Sequence, residues 1–149
     1  MATRHVTVKV EREFPARRAR VFSAWSDAAA LGRWYVPGDE SWSSRIVEHD
    51  FRVGGRKALE FGPRGEPPYG EDCRYEDIVA DSRIIFSMRI STGAHTQTVS
   101  LVTVELFDAR AGSRVVVTDQ MAILDGGDTG DGREKGWGEV LDKLGGEIT

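Results

Sequence analysis

Helical spacing occurs at the two ends of this 149-residue chain, and strand-like alternation fills most of what lies between. Near the start, Val21, Phe22 and Trp25 are spaced i, i+1 and i+4, and apolar residues within 137–148 recur at helical intervals. This arrangement predicts a long C-terminal helix and an antiparallel sheet of about six or seven strands. Both elements can bury their apolar faces only if the sheet curls around the helix. A curled sheet leaves a tapered gap beside the helix, and such gaps hold ligands.

The predicted order of elements is one strand, two short helices, six further strands and the long helix. Ser26-Asp27 is expected to cap the second short helix, and Asp131 the last one. The adjacent Gly54 and Gly55 indicate a tight turn, a bulge or a bent strand. Apolar residues of both parities within 98–106 predict a bulge there. The strands are predicted over 5–14, 43–50, 53–61, 72–79, 84–90, 98–107 and 114–123, and the short helices over 16–26 and 28–34.

The bulk properties of the chain are those of an ordinary globular protein, and residues 1–149 are predicted to form a single domain. A net charge of -4 argues against binding the nucleic-acid backbone as the main function. No apolar run is long enough to span a membrane. The first residues lead directly into alternation and lack the apolar region of a signal peptide, so we expect a cytoplasmic location.

The sequence offers no motif for catalysis, for a cofactor or for a metal. Its single cysteine, Cys73, excludes an intramolecular disulfide and a thiolate cluster. The three histidines lie on separate segments without ligand spacing. Asp125, Asp128 and Asp131 recur every third residue, which does not match a calcium-binding loop. We therefore predict no catalytic residue, no metal site and no cofactor.

One carboxylate stands out by its position in a predicted strand. Alternation places Asp119 on the same face as Val115, Val117 and Met121, so that face is expected to point inward. An inward carboxylate must pair, become neutral or contact a ligand, because burying it alone is costly. Lys57 has inward parity in its own predicted strand and could supply the countercharge. A bulge or the strand end would instead expose Asp119 to solvent. The sequence leaves both interpretations open, an inward Asp119 and an exposed one.

Five aromatic residues have two interpretations, as a stacking surface for a ligand or as ordinary core, and a residue that lines a cavity can serve both roles. They are Trp25, Trp34, Trp42, Phe86 and Trp137. The candidate ligand-binding residues combine these side chains with the inward positions of the predicted strands. They are Trp34, Lys57, Phe86, Met88, Val102, Val117, Asp119, Met121, Trp137 and Leu141.

An ordered set of short motifs runs through the whole chain. Its members are Phe14-Pro-Ala followed by Val21-Phe22-x-Ala24-Trp25, Leu31-x-x-Trp34-Tyr-Val-Pro37, Asp50-x-Arg-Val-Gly-Gly55, Tyr75-Glu-Asp-Ile-Val-x-Asp-x-Arg-Ile-Ile-Phe86, Gly112-Ser-Arg-Val-Val-Val-Thr118 and Gly136-Trp-Gly-x-x-Leu141-Asp-x-Leu144. In order and spacing the set resembles the SRPBCC superfamily (START-like, helix-grip), in the branch named after the activator of heat-shock-protein-90 ATPase. The resemblance implies an α+β helix-grip fold with a deep hydrophobic pocket. It implies no universal catalytic residue.

Three functions are compatible with this resemblance. The first is a cytoplasmic binding protein for a small, mostly hydrophobic ligand, as in relatives that bind lipids, sterols, polyketides or plant hormones. The second is a cyclase, aromatase or dehydratase that uses a buried acid in the same cavity. The third is a protein-interaction module similar to the co-chaperone's second domain, which predicts a contiguous exposed apolar patch and a sealed or very small cavity. Pairing of edge strands across a two-fold axis would also permit a homodimer.

Overall fold

The computed structural model describes residues 3–124 and 130–149. Seven antiparallel strands form one sheet in the order β1-β7-β6-β5-β4-β3-β2. Three helices accompany the sheet, two of them between β1 and β2 and one at the C-terminal end. The elements are β1 Arg4–Phe14, α1 Arg18–Ser26, α2 Ala28–Trp34, β2 Trp42–His49, β3 Arg56–Pro63, β4 Tyr69–Val79, β5 Arg83–Thr92, β6 His95–Ala109, β7 Gly112–Ile123 and α3 Gly130–Ile148.

The sheet is interrupted by bulges on its β2-to-β6 side. In each bulge one strand carries an extra residue that has no partner in the register: Val47 in β2, Glu76 in β4 and Gln97 in β6. A bulge bends its strand and increases the local twist, which helps a sheet to curl. The pairing of β6 with β7 has no register shift from Thr98 to Ala109.

Helix α3 lies in the curled sheet and buries one stripe of its surface. The stripe continues into the core formed by the inner faces of the strands, and α3 packs against β1, α1 and α2. Asp27 separates the two short helices, and its side chain accepts a hydrogen bond from the backbone N–H of Ala30 at 3.3 Å. The buried apolar side chains of α3 are Trp137, Val140, Leu141, Leu144 and Ile148.

The structure confirms the predicted α+β helix-grip class and the two short helices after the first strand, and the curved sheet, predicted to have about six or seven strands, has seven. The prediction of a bulge within 98–106 is wrong, because the alternation is continuous there and Val99 and Leu101 face outward, 47% and 42% exposed. Asp131 lies inside the first turn of α3 and not at its N-cap. Asp125 and Asp128 lie outside the described residues.

Two adjacent glycines near the end of α3 provide a matched test of how the helix is held. A Cβ at Gly146 would have no heavy atom within 4 Å, whereas a Cβ at Gly145 would meet the ring of Phe14 at 3.1 Å. We expect Gly146→Ala to stabilise the protein by a few tenths to about 1 kcal/mol, because alanine favours the helix. Gly145→Ala should gain less or destabilise, because the buried ring must shift. Urea unfolding measures both changes, and equal gains would contradict this packing of α3.

Candidate functional site

A cleft of about 530 Å³ opens between the N-terminal half of α3, the inner face of the sheet and the segment that joins α2 to β2. Met88 and Ile90 of β5 contribute apolar side chains to its lining. Trp137 and Val140 face the cleft from α3, and Tyr35 from the end of α2. The exposed polar residues on its rim include Asp39 and Lys135.

Three half-buried aromatic rings line one part of the cleft, those of Trp42, Phe61 and Tyr69. Their centroids are 5.4 to 6.3 Å apart, and their planes differ by 13° to 25°. Three nearly parallel rings at such similar separations cannot form a single column, so they are offset and cover a broader area than one ring. Gly38 makes the approach of Trp42 possible, because it has a φ of 86° and a Cβ there would clash with the indole.

A buried ion pair lies behind the β4 side of the cleft. The Lys57 ammonium is 3.2 Å from Oε2 of Glu71, and the two side chains are 1% and 7% exposed. The Tyr35 hydroxyl donates a hydrogen bond to the same Oε2 at 3.1 Å, and the Cys73 thiol donates at 3.4 Å. Glu71 itself lines the cleft, whereas Lys57 does not. Three groups therefore hold one oxygen of a carboxylate that borders the cleft.

Aromatic rings and nearby acidic groups hold the Lys57 charge in place. Its Nζ lies 4.2 Å from the ring centroid of Tyr35 and 4.0 Å from that of Phe86, within cation–π range. Burial alone would lower the pKa of Lys57, but interactions with Tyr35, Cys73 and Glu71 outweigh it and raise the pKa well above the usual value. Burial also raises the pKa of Tyr35. At neutral pH, Lys57 is thus a cation and Tyr35 a neutral donor.

A second buried ion pair lies on the β6 and β7 side. Asp119 of β7 is 0% exposed, and its Oδ2 accepts hydrogen bonds from Nη1 of Arg133 at 2.8 Å and from Nε1 of Trp137 at 3.0 Å. Nη2 of Arg133 donates to Thr98 at 2.7 Å, and Ser100 lies at 3.5 Å from Nη1. Within the described part of the chain, Oδ1 of Asp119 has no hydrogen-bond partner. The pair fastens the start of α3 to the sheet.

The sheet register explains why the apolar residues of the cleft lie between two charged groups. Ile90 is paired with Glu71 on β4 and with Thr98 on β6, and Thr98 in turn holds Arg133. Each charge has an opposite charge buried with it. The cleft therefore presents an apolar surface between two internally neutralised polar groups.

The structure places the ten predicted ligand-binding residues in three positions. Met88 and Trp137 line the cleft. Lys57 and Asp119 are buried behind it, where each holds a charged residue of the lining, and Phe86 contacts Lys57. The other five belong to the hydrophobic core, and they are Trp34, Val102, Val117, Met121 and Leu141.

Sequence reasoning missed Glu71, Arg133 and the grouping of Trp42 with Phe61 and Tyr69, which we call the aromatic wall. Glu71 shares the strand parity of Cys73, and Arg133 precedes Trp137 by four residues, so a periodicity signal existed for both. Both were overlooked because charged residues at such positions are usually assigned to solvent. Trp42 was a candidate for a stacking surface and Phe61 had inward parity, but the sequence did not group them with Tyr69, because the three rings come together only through the register of β2, β3 and β4.

Within residues 3–124 and 130–149, no group of three or more His, Cys, Asp or Glu side chains is arranged to hold a metal ion. None of the helices in this described part has the length and apolar character needed to cross a membrane.

The buried Arg133–Asp119 pair can be compared with the exposed Arg12–Asp142 pair. Asp119→Asn should destabilise the protein by about 3–5 kcal/mol, because it leaves Arg133 buried without its countercharge. The matched control is Asp142→Asn, which removes the partner of Arg12 at a side chain that is 68% exposed. That change should cost less than about 1 kcal/mol. Urea unfolding separates the two, and similar losses would show that Asp119 is not a buried anchor.

Comparisons with known proteins agree with this architecture. A family model described as "Activator of Hsp90 ATPase homolog 1-like protein" matches residues 15–148. The crystal structure of the Mll3558 protein from Rhizobium loti is 38% identical, with a TM-score of 0.87 and coverage of 99% of this chain and 100% of that chain. An uncharacterized protein from Rhizobium leguminosarum is 30% identical, with a TM-score of 0.87 and coverage of 99% and 96%.

A third similar structure, that of the CV1439 protein from Chromobacterium violaceum, is 26% identical, with a TM-score of 0.83 and coverage of 95% of this chain and 96% of that chain. No match was found among curated proteins. The family match spans most of the chain, from the end of β1 to the end of α3. The chain belongs to the Activator of Hsp90 ATPase homolog 1-like family, within the SRPBCC superfamily.

Proposed function

We propose that this protein binds a small, mostly hydrophobic molecule in the cleft between the curved sheet and the N-terminal half of α3. The observation that carries the proposal is the apolar lining of this open cleft, formed by the buried Met88 and Ile90 and the half-buried rings of the aromatic wall between two neutralised ion pairs. Its volume falls within the roughly 300–1,000 Å³ typical of small-molecule sites. Typical members of the superfamily bind ligands, which supports the same function.

The energetics of such a site come from apolar burial. Each Å² of apolar surface removed from water contributes about 25 cal/mol. A ligand that covers the apolar floor of the cleft, formed by Met88 and Ile90, and the aromatic wall therefore gains most of its affinity from these contacts. The polar groups that reach the cleft, chiefly Glu71 and Arg133, would orient the ligand. Covering these two charges with a ligand carries a small desolvation penalty, because each is already paired with an opposite charge within the protein.

The enzyme alternative requires an acid in the cavity that can give or take a proton. Asp119 is buried beside polar groups, as that alternative expects, but it does not line the cleft and its Oδ2 is bound to Arg133 and Trp137. Glu71 does line the cleft and accepts from three donors at one oxygen. A carboxylate bound in this way is better suited to receive a hydrogen bond from a ligand than to act as an acid.

The interaction-module alternative expects a contiguous exposed apolar patch. On the outer face of β6, Val99 and Leu101 are exposed, but their register partners include Arg89 of β5 and Gln120 of β7. This pair is therefore bordered by polar side chains on the neighbouring strands, and the cleft is not sealed. A homodimer and a cytoplasmic location stay predictions.

A small-to-large pair of variants tests whether the cleft is the binding site. Ile90→Trp should fill the cleft and abolish retention of hydrophobic molecules, because Ile90 lines it. Val99→Trp, on the outer face of the neighbouring strand, should leave retention unchanged. Each protein is incubated with a hydrophobic metabolite extract and its native and denaturing mass spectra are compared, after a thermal melt confirms folding.

The expected result is a discrete mass that is lost on denaturation from the wild type and from Val99→Trp, and absent from Ile90→Trp. Equal retention by all three proteins would place binding outside the cleft. A wild type that retains nothing from the extract would contradict the proposed function.

A further inference from the structure

The cleft contains one hydrogen-bond acceptor whose partners are incomplete. All three described contacts of the Glu71 carboxylate, from Tyr35, Lys57 and Cys73, are made at Oε2. No described hydrogen bond reaches Oε1, although Glu71 is more than nine-tenths buried and lines the cleft. A carboxylate oxygen can only accept, so it needs a donor from water or from a ligand. An apolar ligand without a donor would displace water from it at a cost.

The charges around the cleft favour an uncharged donor. The negative charge of Glu71 is already balanced by Lys57 at 3.2 Å, so a ligand cation would meet a second cation there. A ligand anion finds the Arg133 guanidinium already bound to Asp119 and Thr98, and it would approach Glu71 at close range. Asp39 and Lys135 on the rim are exposed to water, so an ion of either sign bound beside Glu71 would lose its hydration without a buried countercharge.

The aromatic wall favours a flat ligand. Trp42, Phe61 and Tyr69 are half-buried and nearly parallel, so their ring faces share one orientation against which a flat ring can stack. Aromatic pairs gain roughly 0.5–1.5 kcal/mol beyond the burial of their area. This gain corresponds to about a two- to tenfold preference for an aromatic ligand over an aliphatic one of equal area.

We infer that the ligand is a flat, uncharged aromatic molecule with a phenol-type hydroxyl, which lies against the Trp42, Phe61 and Tyr69 rings and donates to Oε1 of Glu71. This assignment rests on the proposed binding function. It names the chemical class that the cleft selects and goes beyond the hydrophobic character of the ligand.

The test compares four naphthalene probes that differ in one substituent. They are 2-naphthol, 2-methoxynaphthalene, 2-naphthoate and 2-naphthylmethylammonium. At neutral pH only the first is both uncharged and able to donate a hydrogen bond. Isothermal titration at pH 7 should give the lowest Kd for 2-naphthol, about tenfold or more below that of 2-methoxynaphthalene, as expected for a hydrogen bond to a charged acceptor. Both ions should bind more weakly than 2-naphthol.

Two variants assign the preference to the residues named. The double change Lys57→Met with Glu71→Leu removes the acceptor without leaving a buried charge unpaired, and it should equalise the two uncharged probes. Trp42→Leu should weaken both of them by about two- to tenfold, and Phe107→Leu on the outer surface should weaken neither. If the double variant does not fold, the probe series on the wild type decides alone.

The outcomes separate this inference from the function on which it rests. If 2-methoxynaphthalene or either ion binds as tightly as 2-naphthol, and Ile90→Trp abolishes that binding, the cleft binds ligands but the phenol assignment is wrong. If no probe binds, or if binding is unaffected by Ile90→Trp, the phenol assignment and binding of aromatic molecules in the cleft are both refuted.

Discussion

The rest of this structure depends on one packing constraint, the need of a seven-stranded sheet to bury its inner face against a single long helix. The C-terminal half of α3 meets that need with Leu141, Leu144 and Ile148, which are buried in the core. The N-terminal half buries one large apolar side chain, that of Trp137, and it carries the charged Arg133 where a further apolar side chain would fill the space. Apolar packing is therefore dense along the C-terminal half, and the cleft opens along the N-terminal half, where Arg133 and Trp137 reach the sheet.

Two buried ion pairs hold the side chains of Arg133 and Glu71 in place beside the cleft without filling it. Arg133 fastens the start of α3 to β6 and β7 through Thr98 and Asp119, and Lys57 fixes the Glu71 carboxylate from the opposite side of β5. Buried pairs of this kind contribute little net stability relative to apolar packing, but breaking either one is costly. Their value here is geometric, since they keep polar groups at fixed positions beside an apolar floor.

The fold could be predicted from the sequence because it follows from periodicity, whereas the site follows from register and rotamers. The inward parity of Lys57 and Asp119 was readable from alternation, and both side chains are buried. The sequence did not indicate which side chain of the Lys57–Glu71 pair reaches the cleft. Lys57 was therefore predicted as a ligand-binding residue and Glu71 was missed. The bulge expected within 98–106 was wrong for a related reason. Val99 is apolar yet faces outward. In a sequence, an apolar residue on the outer face suggests that the strand has shifted its inward face by one residue, which is the pattern of a bulge.

The central claim is that ligands enter between the sheet and the N-terminal half of α3, and a nuclear magnetic resonance titration with 2-naphthol tests it most directly. The account predicts shifts of the Met88 and Ile90 methyl signals and of the Trp42 and Trp137 indole N–H signals, all in the cleft. The methyl signals of Val99 and Leu101 on the outer face should not move. Shifts confined to the outer face, or no shifts at saturating probe, would contradict the account.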